Sequence, residues 1–220
     1  MGALKTETQL REDVLAELDW EPSVDERRVG VAVGDGIVTL SGAVSSFAEK
    51  WNAERAIERV EGVRGIANEV EVQLAGERTD TDVAKAAADA LAWNSMVPVD
   101  TVTVSVEGGW VTLRGKVEHD YQRRAAERAV RYLDGVRGVT NLITVQPKVE
   151  ASDIRSDIQR TFQRQAALDA DAISIVVSGA EVELHGQVRS WAERYEAERA
   201  AWSAPGVVNV RDHITVSPGG

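Results

Sequence analysis

One pattern recurs three times in this chain, at spacings of 73 and 71 residues, and it decides the architecture before any other property is consulted. The segments IVTLSGAV, WVTLRGKV and VELHGQV are each followed by a charged, alanine-rich stretch: SSFAEKWNAERAIERV, EHDYQRRAAERAVRYL or RSWAERYEAERAAWSA. Each stretch leads into GVRGIANEVEVQL, GVRGVTNLITVQP or PGVVNVRDHITVSP. The fixed points are Gly42, Gly115 and Gly186; the pairs Glu54-Arg55, Glu127-Arg128 and Glu198-Arg199; and Gly62, Gly135 and Gly206. The chain therefore divides into repeats at 1–76, 77–149 and 150–220. Units of about 70 residues bury little core and leave little volume for a deep active site.

Within one unit the periodicities name the elements. Thr6 to Trp20 opens with the capping candidates Thr6-Glu7-Thr8-Gln9 and carries Leu10, Val14 and Leu18 on one face, the spacing of an amphipathic helix. Val83, Ala87 and Leu91, then Ile154, Ile158 and Phe162, repeat that face. Val29, Val31 and Val33 alternate as a half-buried strand, and a turn at Gly34-Asp35-Gly36 joins them to Val38 and Leu40 in a hairpin. Ala53, Ala56, Ile57 and Val60 predict a second helix stopped at Gly62, and Val70 and Val72 a third strand. The predicted fold is α+β: three tandem α-β-β-α-β units, each a small three-stranded mixed sheet covered on one face by two helices.

The amphipathic helix, V-x-V-x-(D/G)-G-x-V-T-L-x-G-x-V, a helix containing A-E-R-A, and G-V-x-x-V-x-N-x-(I/V)-x-V together resemble the BON domain, the bacterial osmotically inducible and nodulation module. Repeat three departs most, with Ser178-Gly179-Ala180 at its turn and Asp212 where Asn68 and Asn141 stand. The resemblance implies a non-catalytic role among envelope stress proteins, phospholipid-binding lipoproteins, transport-associated accessories or a cytosolic potassium-binding protein. It carries no ligand contact over to a numbered position.

Chemistry is sparse. The chain has no cysteine, which excludes disulfides, thiolate metal sites and cysteine nucleophiles. His119, His185 and His213 occupy non-equivalent repeat positions without ligand spacing, although His185 and His213 lie on strands that bring them near each other. The glycine-rich turns lack phosphate-loop and dinucleotide spacing, so no catalytic residue, metal or cofactor is expected. A net charge of −11 opposes nucleic acid, and no apolar run is long enough to span a membrane. MGALKTETQL has no signal pattern, so the expected compartment is the cytoplasm, or the periplasm if a leader has been removed.

The outward face of the second helix is more informative. At about 100° per residue, Phe47 and Trp51 fall away from the Ala53, Ala56, Ile57 stripe. Repeat three places Trp191, Tyr195 and Trp202 on that face, whereas repeat two places Asp120, Arg124 and Arg131 there, flanked by Arg128. Two readings stand open: packing between repeats, or an exposed face for a protein partner or an anionic phospholipid surface. Net charges of −7, −1 and −3 over residues 1–76, 77–147 and 148–220 make the second helix of repeat two the candidate for an anionic partner. Its arginines are otherwise expected to pair with the acidic first repeat. The leading expectation is a non-enzymatic binding or adaptor protein linked to osmotic or envelope stress. The competing one is a cytosolic sensor of a small ligand or cation such as potassium.

Overall fold

A threonine starts the first helix of repeat one and of repeat two and closes its free N-terminal amides. In the computed structural model, which describes residues 5–74, 76, 78–98, 100–146, 154–164 and 172–217, the hydroxyl of Thr6 accepts from Gln9 N at 3.2 Å, while Gln9 Oε1 accepts from Thr6 N at 3.0 Å. That capping box opens α1 (Glu7–Trp20), and Thr79 with Asp82 repeats it at α3 (Asp80–Trp93). Leu10, Val14 and Leu18 are buried along α1, Val83, Ala87 and Leu91 along α3, and Ile154, Ile158 and Phe162 along α5 (Ile154–Arg164).

The alternating segments form hairpins of β1 (Val29–Gly34) with β2 (Ile37–Val44), β5 (Val102–Glu107) with β6 (Trp110–Val117), and β8 (Ile173–Ser178) with β9 (Glu181–Val188). After each hairpin come the second helices, α2 (Phe47–Ile57), α4 (Asp120–Arg131) and α6 (Trp191–Ser203). The chain then returns parallel to the hairpin's second strand, as β3 (Gly65–Asn68) and β4 (Glu71–Val72) in repeat one, β7 (Gly138–Val145) in repeat two and β10 (Asn209–Val216) in repeat three. Ile37 pairs with Gly65, Trp110 with Gly138 and Glu181 with Asn209, so all three copies share one register. Each sheet has its helices on one face, and each repeat has its own core, centred on Leu40, Leu113 or Leu184. The expected boundary at 149/150 lies outside the described residues.

One expectation is corrected. Gly62, Gly135 and Gly206 do not stop the second helices; those end at Ile57, Arg131 and Ser203, and the glycines sit in the turn that follows, at φ of 109°, 90° and 88°. The helices end early because the chain must leave the helix axis to reach the central strand, and the positive φ is where it reverses.

A buried carboxylate fixes the entry to α2. Glu49 Oε2 accepts from Ser45 N at 2.9 Å and Oε1 from Asp25 N at 3.1 Å. Burial pushes its pKa up, but these donated hydrogen bonds outweigh burial and hold it below the ordinary glutamate value. A depressed folded pKa stabilises above the unfolded value, and the contribution is lost as pH falls through the folded one. Gln122 holds the same position in repeat two, accepting from Glu118 N and His119 N at 3.0 Å, so an amide fits the site. Glu49→Gln is therefore expected to lower stability by about 1 to 2 kcal/mol at neutral pH, with the gap from the parent closing below about pH 4. Thermal melts across pH check this; a gap that is independent of pH overturns it.

Candidate functional site

The third strand of each repeat is tied to its second helix by one polar clasp. Asn68 Nδ2 donates to Glu54 at 2.9 Å, and Asn141 Nδ2 donates to Glu127 at 3.2 Å and to the carbonyl of Arg123 at 3.0 Å. In repeat three the polarity is reversed: Asp212 accepts from Arg194 Nε at 2.7 Å. These clasps set the rotation of each helix and so aim its outer face.

Those outer faces meet one another. Phe47 packs on the repeat-two core, and the guanidinium of Arg131 lies 3.5 Å from the Trp51 ring centroid. The start of α4 meets the end of α6, where Arg123 lies 4.6 Å from the Trp202 ring and Trp202 packs on the cores of both repeats two and three. The start of α6 meets the end of α2: Trp191 packs on the repeat-one core, Ala192 N donates to the carbonyl of Glu58 at 3.0 Å, and Arg55 lies 3.9 Å from the Tyr195 ring. In every case the beginning of one second helix meets the end of the next, and the third contact returns to the first repeat. A head-to-tail interface that closes after three copies is a pseudo-three-fold ring.

All the sequence candidates are gathered in this junction. Phe47, Trp51, Trp191 and Tyr195 turn onto neighbouring repeats, whereas Trp202 packs against its own core as well as that of repeat two. Arg131 is only 8% exposed, stacked on Trp51 and paired with Glu127 at 2.5 Å, so it is not open to a partner. The expected pairing of the arginines with repeat one does not occur among the described residues. Arg123 and Arg124 both reach Asp120, at 2.5 and 2.9 Å, because that carboxylate, 3% exposed, stands one helical turn away on the same helix. Arg128 remains exposed.

Between the three helices a cleft of about 620 Å³ stays open, walled by Trp51, Tyr195 and Tyr132 and by Arg55, Arg123, Arg124, Arg128 and Arg131, with Glu58 and Glu127 among them. Burial raises the Glu58 carboxyl above its ordinary range, although its partner Arg55 opposes the shift.

Two residues escaped the sequence reading. Trp20 and Trp93, the last residues of α1 and α3, are 83% and 88% exposed and occupy equivalent positions in repeats one and two. Helical phase marks them, since each stands two residues, roughly 200°, round from the buried Leu18 or Leu91.

His185 and His213 do meet, as register partners with ring centroids 4.9 Å apart. Among the described residues no group of three or more histidine or carboxylate side chains is placed to hold a metal, and no helix is long and apolar enough to cross a membrane.

Three α-β-β-α-β units closed into a ring, each with a separate small core, define a tandem array of α+β modules. Comparison with known proteins identifies the module: the BON domain model matches residues 6–73, 79–147 and 150–218, and the chain belongs to the BON domain family. Osmotically-inducible protein Y of Escherichia coli (strain K12) is 28% identical over 147 residues, 64% of this chain and 73% of that protein. Among solved structures, CdsD, a structural protein of the type III secretion system of Chlamydia trachomatis, is 13% identical over 94% of this chain and 92% of that one, at a TM-score of 0.27. Its C-terminal domain is 12% identical over 97% of this chain and all of that one (100%), also at 0.27.

Proposed function

We propose that this chain is a non-enzymatic binding protein of the osmotic stress response that settles on a phospholipid surface through Trp20 and Trp93. The observation that carries the reading is the near-complete exposure of two tryptophans at equivalent positions of two repeats. An exposed indole contributes nothing to its own core, whereas a polar and apolar ring of this kind is favoured at a membrane interface. Equivalent positions about a rotation axis share one level, which lets one flat surface meet both. The osmotic induction named for the Escherichia coli relative supports the physiological setting. Glu17, Asp19 and Glu21 flank Trp20 and Asp89 stands near Trp93, so the headgroups that fit are zwitterionic rather than anionic.

Co-sedimentation with phosphatidylcholine vesicles tests the reading. Withdrawing one large apolar side chain from water is worth about 2 kcal/mol, so each of Trp20→Ser and Trp93→Ser is expected to weaken partitioning at least about tenfold, with the melting temperature unchanged. Equal sedimentation of parent and double variant overturns it.

A further inference from the structure

We propose that the cleft at the pseudo-three-fold junction binds a small soluble dianion of the phosphate or phosphate-ester class. The charge balance of the cleft opposes that of the chain. Five guanidinium groups, those of Arg55, Arg123, Arg124, Arg128 and Arg131, gather there, against the carboxylates of Glu58, Glu127 and the adjoining Asp120. Pairing uses all three carboxylates: Glu58 with Arg55, Glu127 with Arg131, and Asp120 shared between Arg123 and Arg124. Arg128 is left exposed, with no carboxylate in ion-pair reach among the described residues. Two positive charges stay uncompensated, the charge of one dianion, in a protein whose net charge is −11.

The guanidiniums are also held in place. Arg55 lies against Tyr195, Arg131 against Trp51 and Arg123 against Trp202. Stacking occupies the face of a guanidinium; at Arg55 and Arg123 it leaves edge N–H groups in the plane where oxyanion acceptors bind, while the buried Arg131 adds only its charge to the wall, so the entropy of ordering these side chains is already spent before a ligand arrives. At about 620 Å³ the cleft exceeds a bare phosphate, and Tyr132 and Tyr195 offer flat walls to an ester's organic part. Nothing in this site depends on Trp20 or Trp93, so it stands or falls independently of membrane contact.

Isothermal titration calorimetry of the full chain tests it, with inorganic phosphate, glycerol 3-phosphate and adenosine 5′-monophosphate as titrants and potassium chloride as the control. One-to-one binding of at least one of the three is expected. Arg128→Gln is expected to weaken it at least about tenfold, Arg128→Lys less, because charge returns without the fork. Arg114→Gln makes the same charge change on β6, outside the cleft, and is expected to leave binding unaltered. Trp20→Ser with Trp93→Ser is expected to leave it unaltered too. No heat with any titrant overturns the proposal, as does equal weakening by Arg128→Gln and Arg114→Gln, which marks a general field rather than a site. Binding seen only to phosphatidylglycerol vesicles, and lost in Arg128→Gln, assigns the cleft to a lipid headgroup and overturns the soluble ligand.

Discussion

Gly42→Ala is expected to destabilise the first repeat by about 3 kcal/mol or more, and the equivalent changes at Gly115 and Gly186 to do the same in their own repeats. A Cβ on Gly42 stands 2.2 Å from the carbonyl oxygen of Arg28; on Gly115 it stands 2.1 Å from that of Thr101, and on Gly186 2.1 Å from that of Ala172. Each obstacle is backbone at the start of the hairpin's first strand, so no rotamer change relieves it. The φ of 108° at Gly42 adds strain for any residue with a side chain. Movement of the strand is the remaining response, and it drags Val29 out of the repeat-one core, where it is 5% exposed. Gly34→Ala is the control. It lies in the same hairpin with open space around its Cβ, and is expected to change stability by only a few tenths of a kcal/mol. Urea unfolding of both variants decides: similar midpoints overturn the claim that this close approach, rather than flexibility, is what the three glycines supply.

Those glycines show where reading from sequence stops. As recurring positions Gly42, Gly115 and Gly186 were visible from the alignment of the repeats, but the reason for them was not, because the oxygen each Cβ would strike belongs to a residue more than ten positions earlier in the chain. The helices and hairpins followed from period alone, since burial of Leu10, Val14 and Leu18 on one side of α1 is a local consequence of 3.6 residues per turn. The exit glycines misled, because a glycine after a helix marks a reversal without saying how many residues precede it. Asp212 is a different case. Alone it reads as divergence from Asn68 and Asn141, yet it still ties strand to helix, accepting from Arg194 where the asparagines donate to Glu54 and Glu127. Arg194 is not itself divergent, since Lys50 and Arg123 stand at its position; that its guanidinium becomes the partner of the changed residue 18 positions on needs a fold to be seen.

The candidate site divides the same way. Helical phase turned Trp51 and Tyr195 toward neighbouring repeats but placed Trp202 outside a core that it in fact also packs on, and phase has no information about what lies beyond the helix. The ring depends on the relative placement of three units, and no periodicity encodes it. Repeat two's basic face is intelligible only in that setting: Arg131 supplies the cation for Trp51, and Arg123 the cation for Trp202, so one repeat carries arginines because its neighbours carry rings. Trp20 and Trp93 were equally visible in phase, but a tryptophan at the last position of a helix reads as either a core or a surface residue until the packing beyond the helix end is known.

Trp202→Ala is expected to cost about 3 kcal/mol and to uncouple repeat three from repeat two. The indole is half-buried against both cores, carries Arg123 on its face and donates through Nε1 to Glu198 at 3.3 Å. Its removal opens a void between two repeats that have separate cores, and strips the stacked cation of its ring. Modules of about 70 residues are marginal alone, so a loss concentrated at their shared boundary falls on cooperativity as well as on total stability. The parent is expected to unfold in urea as one transition; the variant is expected to show repeat three melting first, followed by the other two. Tyr132→Ala, which removes an exposed aromatic on the wall of the junction cleft, is expected to shift the midpoint little. Amide hydrogen exchange gives the local readout: faster exchange in β8 and β9 than in β5 and β6 of the variant supports the coupling. Uniform acceleration across all three sheets with one unfolding transition overturns it, because the ring then behaves as a single core in which Trp202 is one contact among many.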